Sequence, residues 1–134
     1  MKKMMQLFLL SLFLGCTRED EIPKKLDLNG IFTGKITGYA QPLAVNGNAT
    51  WVITHQGSEF SADITYENVT GFNVPKYKGT VINDTTFVGG FVNVVPKSIV
   101  NGKISKNGNQ IICSTDGTDP NVNYVRITFD LLRK

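Results

Sequence analysis

The 134-residue sequence predicts an all-β domain of about eight antiparallel strands closed into an up-and-down barrel, with a β-sandwich as the alternative. Three observations predict it. Thirteen glycines, five prolines and frequent Val, Ile and Thr leave no apolar stripe of helical period beyond residue 16. Short runs alternate apolar with polar side chains at period two, the mark of strands with one dry face and one wet face. Turn residues separate those runs at short intervals. Closure is preferred because an open sheet of this size would expose two unpaired edges.

The strands follow in order. Residues 31–37 set Phe32, Gly34 and Ile36 against Thr33, Lys35 and Thr37, and a loop through Pro42 to Asn46-Gly47-Asn48 follows. Residues 49–55 alternate Trp51 and Ile53 with Thr50 and Thr54, and Gln56-Gly57 makes a tight hairpin turn. The cleanest alternation is Phe60, Ala62, Ile64 and Tyr66 against Ser61, Asp63, Thr65 and Glu67. A loop over 68–76, with Gly71 and Pro75, leads to a strand at 77–82 and a turn at Asn83-Asp84. The run 86–94 contains Gly89-Gly90, a pair that suggests a bulge, and Pro96 breaks it. Strands at 99–105 and 110–114 flank Asn107-Gly108, a strong hairpin signal. A polar loop over 115–121 precedes the last strand, 123–131, which points Val125, Ile127, Phe129 and Leu131 inward.

Residues 1–15 are read as a signal peptide: Lys2 and Lys3 form a positive start, residues 7–14 an apolar run, and Gly15 a small residue beside the cut. The apolar run is far short of the ~20 residues that span a bilayer. Phe13-Leu14-Gly15-Cys16 resembles the lipobox of bacterial lipoproteins, with Phe13 where Leu is usual, as in the looser boxes of Bacteroidetes-type lipoproteins. The resemblance implies that the Cys16 thiol receives diacylglycerol, that the chain is cut before it, and that the new amine is acylated. Several fatty chains would anchor the protein permanently in a membrane. Residues 16–29 read as the lipidated cysteine and a disordered charged stalk, and 30–134 as the single domain. In the stalk, Arg18, Glu19, Asp20 and Glu21 resemble the acidic export signal that carries such lipoproteins to the cell surface; a solvated spacer is the alternative. The location expected is the outer membrane, surface-exposed or else facing the periplasm.

Removing 15 of 134 residues leaves 119, enough for one domain and too few for two. It also leaves twelve basic against eleven acidic side chains, a balance that argues against nucleic acid as a partner. With Cys16 lipidated, Cys113 has no disulfide partner and reads as a small buried hydrophobe in an apolar strand.

Candidate chemistry is sparse. His55 is the single histidine, expected exposed at a strand end, and too few ligands accompany it for an imidazole metal site. Asp116, Asp119 and Asn121 lack the spacing of a calcium loop and read as a polar turn. Asp63 and Glu67 share a wet strand face, where solvated carboxylates are ordinary. Asn48, Asn68 and Asn83 head chance Asn-x-Thr triplets, and Asp84-Thr85-Thr86 is similar to an O-glycosylation triplet of exported Bacteroidetes proteins. No catalytic residue, metal or cofactor is assigned, and an enzyme is the least favoured class.

In rhythm alone the domain resembles small lipocalin-like and avidin-like barrels. Gly30-Ile31-Phe32 stands where lipocalins carry Gly-x-Trp, and the lone Trp51 falls on the second strand. Two functions remain in front. One is an envelope or surface module that binds a protein or glycan through its loops, with Tyr39, Phe72 and Tyr77 as the contact surface. The other is a carrier of a small apolar ligand within the barrel, which requires that its apolar side chains leave space.

Overall fold

A computed structural model describes residues 25–40, 43–93, 99–119 and 122–134, with side chains at 99 and 116–125 outside that description. Eight strands close a barrel in sequence order: β1 (Gly30–Ala40), β2 (Leu43–Gln56), β3 (Glu59–Glu67), β4 (Lys76–Asn83), β5 (Thr86–Phe91), β6 (Ile99–Ser105), β7 (Gln110–Asp119) and β8 (Val122–Arg133). Each strand pairs antiparallel with the next, and β1 pairs with β8 from Phe32↔Arg133 to Ala40↔Val125. The up-and-down barrel is therefore the fold, and the sandwich is not.

Connections at the two ends differ. At the basal end, where β1 starts, the hairpins are tight: residues 57–58, residues 84–85 and a 3-10 turn at Lys106–Gly108. Gly57 has φ +64° in its turn, and Lys106, Asn107 and Gly108 all have positive φ. Asn83 Oδ1 accepts from the Thr85 N–H at 2.9 Å and so tightens its own turn. Among the described residues, the distal end carries the longer connection 68–75.

Alternation decides which side chains fill the barrel. Phe32 and Ile36 from β1, Trp51 and Ile53 from β2, Phe60 and Ile64 from β3, Tyr77 from β4, Phe87 and Phe91 from β5, and Ile127, Phe129 and Leu131 from β8 form one buried cluster. Their neighbours two residues away are often glycine, which lets a ring lie flat over bare backbone. Gly102 shows why: a Cβ there would sit inside the Phe87 ring.

Several boundaries differ from the sequence expectation. Residues 45–48 belong to β2 instead of a loop, because β1 extends to Ala40 and pairs Ile36↔Gly47 and Thr37↔Asn46. The polar stretch 115–119 continues β7, held by Asp116↔Arg126 and Gly117↔Val125. Gly89 and Gly90 keep regular register with Gly79 and Lys78, and the irregularity falls between Val81 and Asn83. Glycine is needed at 89 because a Cβ would collide with the Lys78 carbonyl and Tyr77 Oη. The stalk boundary also moves. Leu28 is fully buried in the core, so the domain begins at about Leu26 instead of Gly30.

Candidate functional site

The barrel axis comes first, since a ligand cavity there would define a carrier. Trp51 lies at 5.1 Å (ring centroids) from Tyr77 and from Phe129. Tyr77 meets Phe60 at 5.7 Å and Phe91 at 5.7 Å, while Phe87 stands edge-on to Phe60 at 5.2 Å. These are the tilted and edge-to-face spacings of packed aromatic rings. Among the described residues these rings pack against one another along the barrel axis.

Among the described residues, Trp51 Nε1 and Tyr77 Oη, on fully buried residues, have no hydrogen-bond partner. By contrast, Tyr66 Oη donates to the Val74 carbonyl at 2.8 Å. Burial pushes the Tyr77 and Tyr66 hydroxyls above the usual phenol range and the Cys113 thiol above the usual thiol range, so all three stay protonated. Cys113 is an inert core residue in this setting.

The distal end is covered by residues 68–75. Phe72 packs edge-on against Phe91 at 5.6 Å and Tyr66 at 5.8 Å, and Val69 and Val74 rest on the same core. Among the three residues expected to form a contact surface, only Tyr39 qualifies. It is 60% exposed on β1, opposite Ala44 and Arg126. Phe72 turns inward as a plug. Tyr77 is fully buried, because its strand parity places it with Gly79 and Val81 on the inner face, opposite Lys76, Lys78 and Thr80. The three residues do not share a surface, and that expectation is corrected. Cys16, Arg18, Glu19, Asp20 and Glu21 lie outside the described residues, as do the side chains of Asp116, Asp119 and Asn121.

The basal end holds what the sequence did not announce. Arg133, at the end of β8, donates from its guanidinium to the carbonyls of Asn29, Asp27 (2.6 Å) and Gly108 (3.1 Å), and from Nε to Asn109 Oδ1 (3.1 Å). Its Cζ also lies 4.7 Å from the Phe32 ring centroid, so the cation closes the barrel floor from above an aromatic face. His55 is half-buried, not exposed as expected, and its Nδ1 accepts the Leu28 N–H at 3.1 Å. That bond requires the tautomer with its proton on Nε2, an atom that is buried and has no partner among the described residues. Asn29 completes the clasp by accepting the His55 N–H at 2.8 Å and donating to the His55 carbonyl at 3.1 Å. The backbone N–H and then the side chain of Asn29 hold the Asp27 carboxyl below the usual range. Leu26 and Leu28, alternating in an otherwise charged stretch, were the only sequence signal of this cap.

On the outer wall, an open depression of about 470 Å³ is lined by Thr54, Gln56, Ser61, Lys78 and Thr80. Asp63 and Lys76 form an exposed ion pair at 3.6 Å, an arrangement of small energetic weight. Among the described residues, no three His, Cys, Asp or Glu side chains gather as metal ligands. No family model, no curated protein and no solved structure matches this chain.

Proposed function

We propose that the chain is an outer-membrane lipoprotein, anchored through acylated Cys16, whose barrel serves as a binding module at the cell envelope. The observation that carries the choice of binding module over carrier is the packed barrel axis, in which Trp51, Tyr77, Phe87 and Phe129 occupy the space a ligand would take. Recognition then falls to the exterior. Residues 25–29 lie across the basal end, so a tether entering there leaves the distal connections and Tyr39 facing away from the membrane. Arg18, Glu19, Asp20 and Glu21 would serve as the export address and not as a contact site. The proposal assigns no catalytic role.

Metabolic labelling with palmitate tests the anchor. The wild-type chain should take up label and Cys16→Ser should not; equal labelling of the two would end the lipoprotein reading. Protease added to intact cells then tests display. Replacing Glu19, Asp20 and Glu21 with Ala should keep the label and abolish shaving. A photocrosslinker at Tyr39 should capture an envelope partner that the same probe at outward-facing Val88 does not.

One observation favours the carrier instead. Among the described residues Trp51 Nε1 and Tyr77 Oη are polar atoms without partners in an otherwise apolar interior, as groups that would bond the one polar end of a small apolar ligand are. Tryptophan fluorescence tests it, since a ligand reaching Trp51 must shift or quench that single emitter.

A further inference from the structure

The outer wall carries an apolar stripe at one place, and the register makes it continuous. Ile31 on β1 stands directly opposite Val52 on β2. On the other side of β1, the Lys134 N–H donates to the Ile31 carbonyl, which puts Leu132 diagonally beside Ile31. Gln110 pairs with Leu132 and Ile112 with Asp130, so Ile112 is diagonal to Leu132 in turn. Four neighbouring strands thus contribute one exposed apolar side chain each: Val52 (47%), Ile31 (44%), Leu132 (46%) and Ile112 (37%). Opposite positions are neighbours and diagonal ones lie about 7–8 Å apart, within reach of long side chains, so the four make one patch and not scattered exposures. All four lie in the basal part of the barrel, beside the cap formed by residues 25–29.

We infer that this flank docks onto the lipid surface, with the tether holding it there. The inference rests on the proposed lipid anchor. Cys16 precedes Lys25 by nine residues. Nine residues span at most about 30 Å even when fully extended, so the basal end cannot move far from the bilayer. Docking is then intramolecular, and a patch too small to bind membrane by itself becomes effective at the high local concentration the tether enforces. The surrounding charge suits lipid headgroups. Lys134 adjoins Ile31, Lys103 lies opposite Ile112 across β6–β7, and Lys25 and Lys106 belong to the same end. Basic residues around an apolar patch attract anionic headgroups while the apolar side chains enter the interface. Two acids border the patch: Asp130 pairs in register with Lys35 and accepts from Gln110 Nε2 at 2.9 Å, and Asp63, opposite Val52, has Lys76 at 3.6 Å, so both are partly compensated. Among the described residues, the opposite wall, with Ile82 and Val88, has no comparable run across four strands.

The test uses the full chain isolated with its native modification and reconstituted into phosphatidylethanolamine–phosphatidylglycerol vesicles, with the Cys16 acyl state read by mass. Val52→Cys, Leu132→Cys and Ile82→Cys each receive an environment-sensitive dye, which buried Cys113 does not take up. Docking predicts blue-shifted emission and about fivefold weaker iodide quenching at 52 and 132 than at 82, because docked side chains lie within the headgroup boundary. Adding Leu132→Glu should remove the protection at 52 without changing the melt. Quenching at 52 and 132 equal to that at 82 in acylated protein overturns the docking and leaves the anchor standing. Protection that persists in dilute detergent, where no bilayer exists, points to a second copy on the patch and also overturns it. An unmodified Cys16 mass removes the anchor, and the docking with it.

Discussion

The unpaired hydroxyl of Tyr77 gives the sharpest test of the filled barrel. Tyr77→Phe deletes one oxygen and nothing else. A buried polar group without a partner costs about 1–3 kcal/mol of desolvation that no bond offsets. Deleting it recovers that cost, less a few tenths of a kcal/mol of dispersion attraction that the oxygen made with its neighbours. The ring keeps its packing against Trp51, Phe60 and Phe91, so no large cavity opens. The net effect should be a stabilisation of about 1–2 kcal/mol, which for a domain of this size raises Tm by about 4–8 °C. Tyr66→Phe is the matched control. Its hydroxyl donates to Val74, so its removal should destabilise by about 1 kcal/mol and loosen the distal plug. Far-ultraviolet circular dichroism melts and urea titrations on both variants give the two signs. If Tyr77→Phe instead loses about 0.5 kcal/mol or more, its hydroxyl has a partner in solution. That result would refute the packed-axis argument and favour the carrier.

Other outcomes follow from the same geometry. Arg133→Ala removes four hydrogen bonds and a cation over Phe32; it should cost about 2–4 kcal/mol and speed hydrogen exchange at the Leu28 amide, with Arg133→Lys recovering only part. Gly102→Ala forces a methyl into the Phe87 ring and should cost about 3 kcal/mol or prevent folding, whereas Thr80→Ala on the outer face should shift Tm little. Burial raises the folded-state pKa of Cys113, Tyr66 and Tyr77, so these groups contribute stability that is complete below their unfolded values and lost as pH climbs past them. A melt series should stay level from neutral pH to 9.0, fall first as the thiol value is passed and more steeply above 10.0, at up to about 1.4 kcal/mol per unit for each group. Cys113→Val should remove the first part of that decline. In native protein at pH 8, a thiol reagent should label Cys113 only as fast as the barrel opens; rapid labelling would contradict its burial.

The strands were legible because one buried face forces a period of two, and the eight runs that showed it are the eight strands. Their ends were less legible where small polar residues pair. Asn46-Gly47-Asn48 looks like a turn, yet Gly47 is placed by close approach to Val69 and the Glu67 carbonyl and continues β2. Residues 115–119 look like a loop because their strand identity comes from β8, through pairing that no local pattern announces. The place of Tyr77 is legible in the sequence, since Lys76, Lys78 and Thr80 mark the wet face of β4 and leave position 77 on the dry one. The basal clasp was not legible. His55 and Arg133 look like ordinary end-of-strand residues until closure brings β8 and residues 25–29 together.

That closure has a consequence for timing. The bonds from Arg133 to Asp27 and Asn29 bridge 106 and 104 positions, and the β1–β8 seam joins the first and last strands of the domain. No partial chain can complete the cylinder, because every prefix lacking residues 122–133 has two open edges and an uncovered floor. Contacts this distant in sequence form slowly, since the loop between them must be ordered before they repay the cost. A polypeptide built this way gains its stability late, once residues 122–133 are present to close the seam. Under the export proposed above, such delay would keep the chain competent for transport.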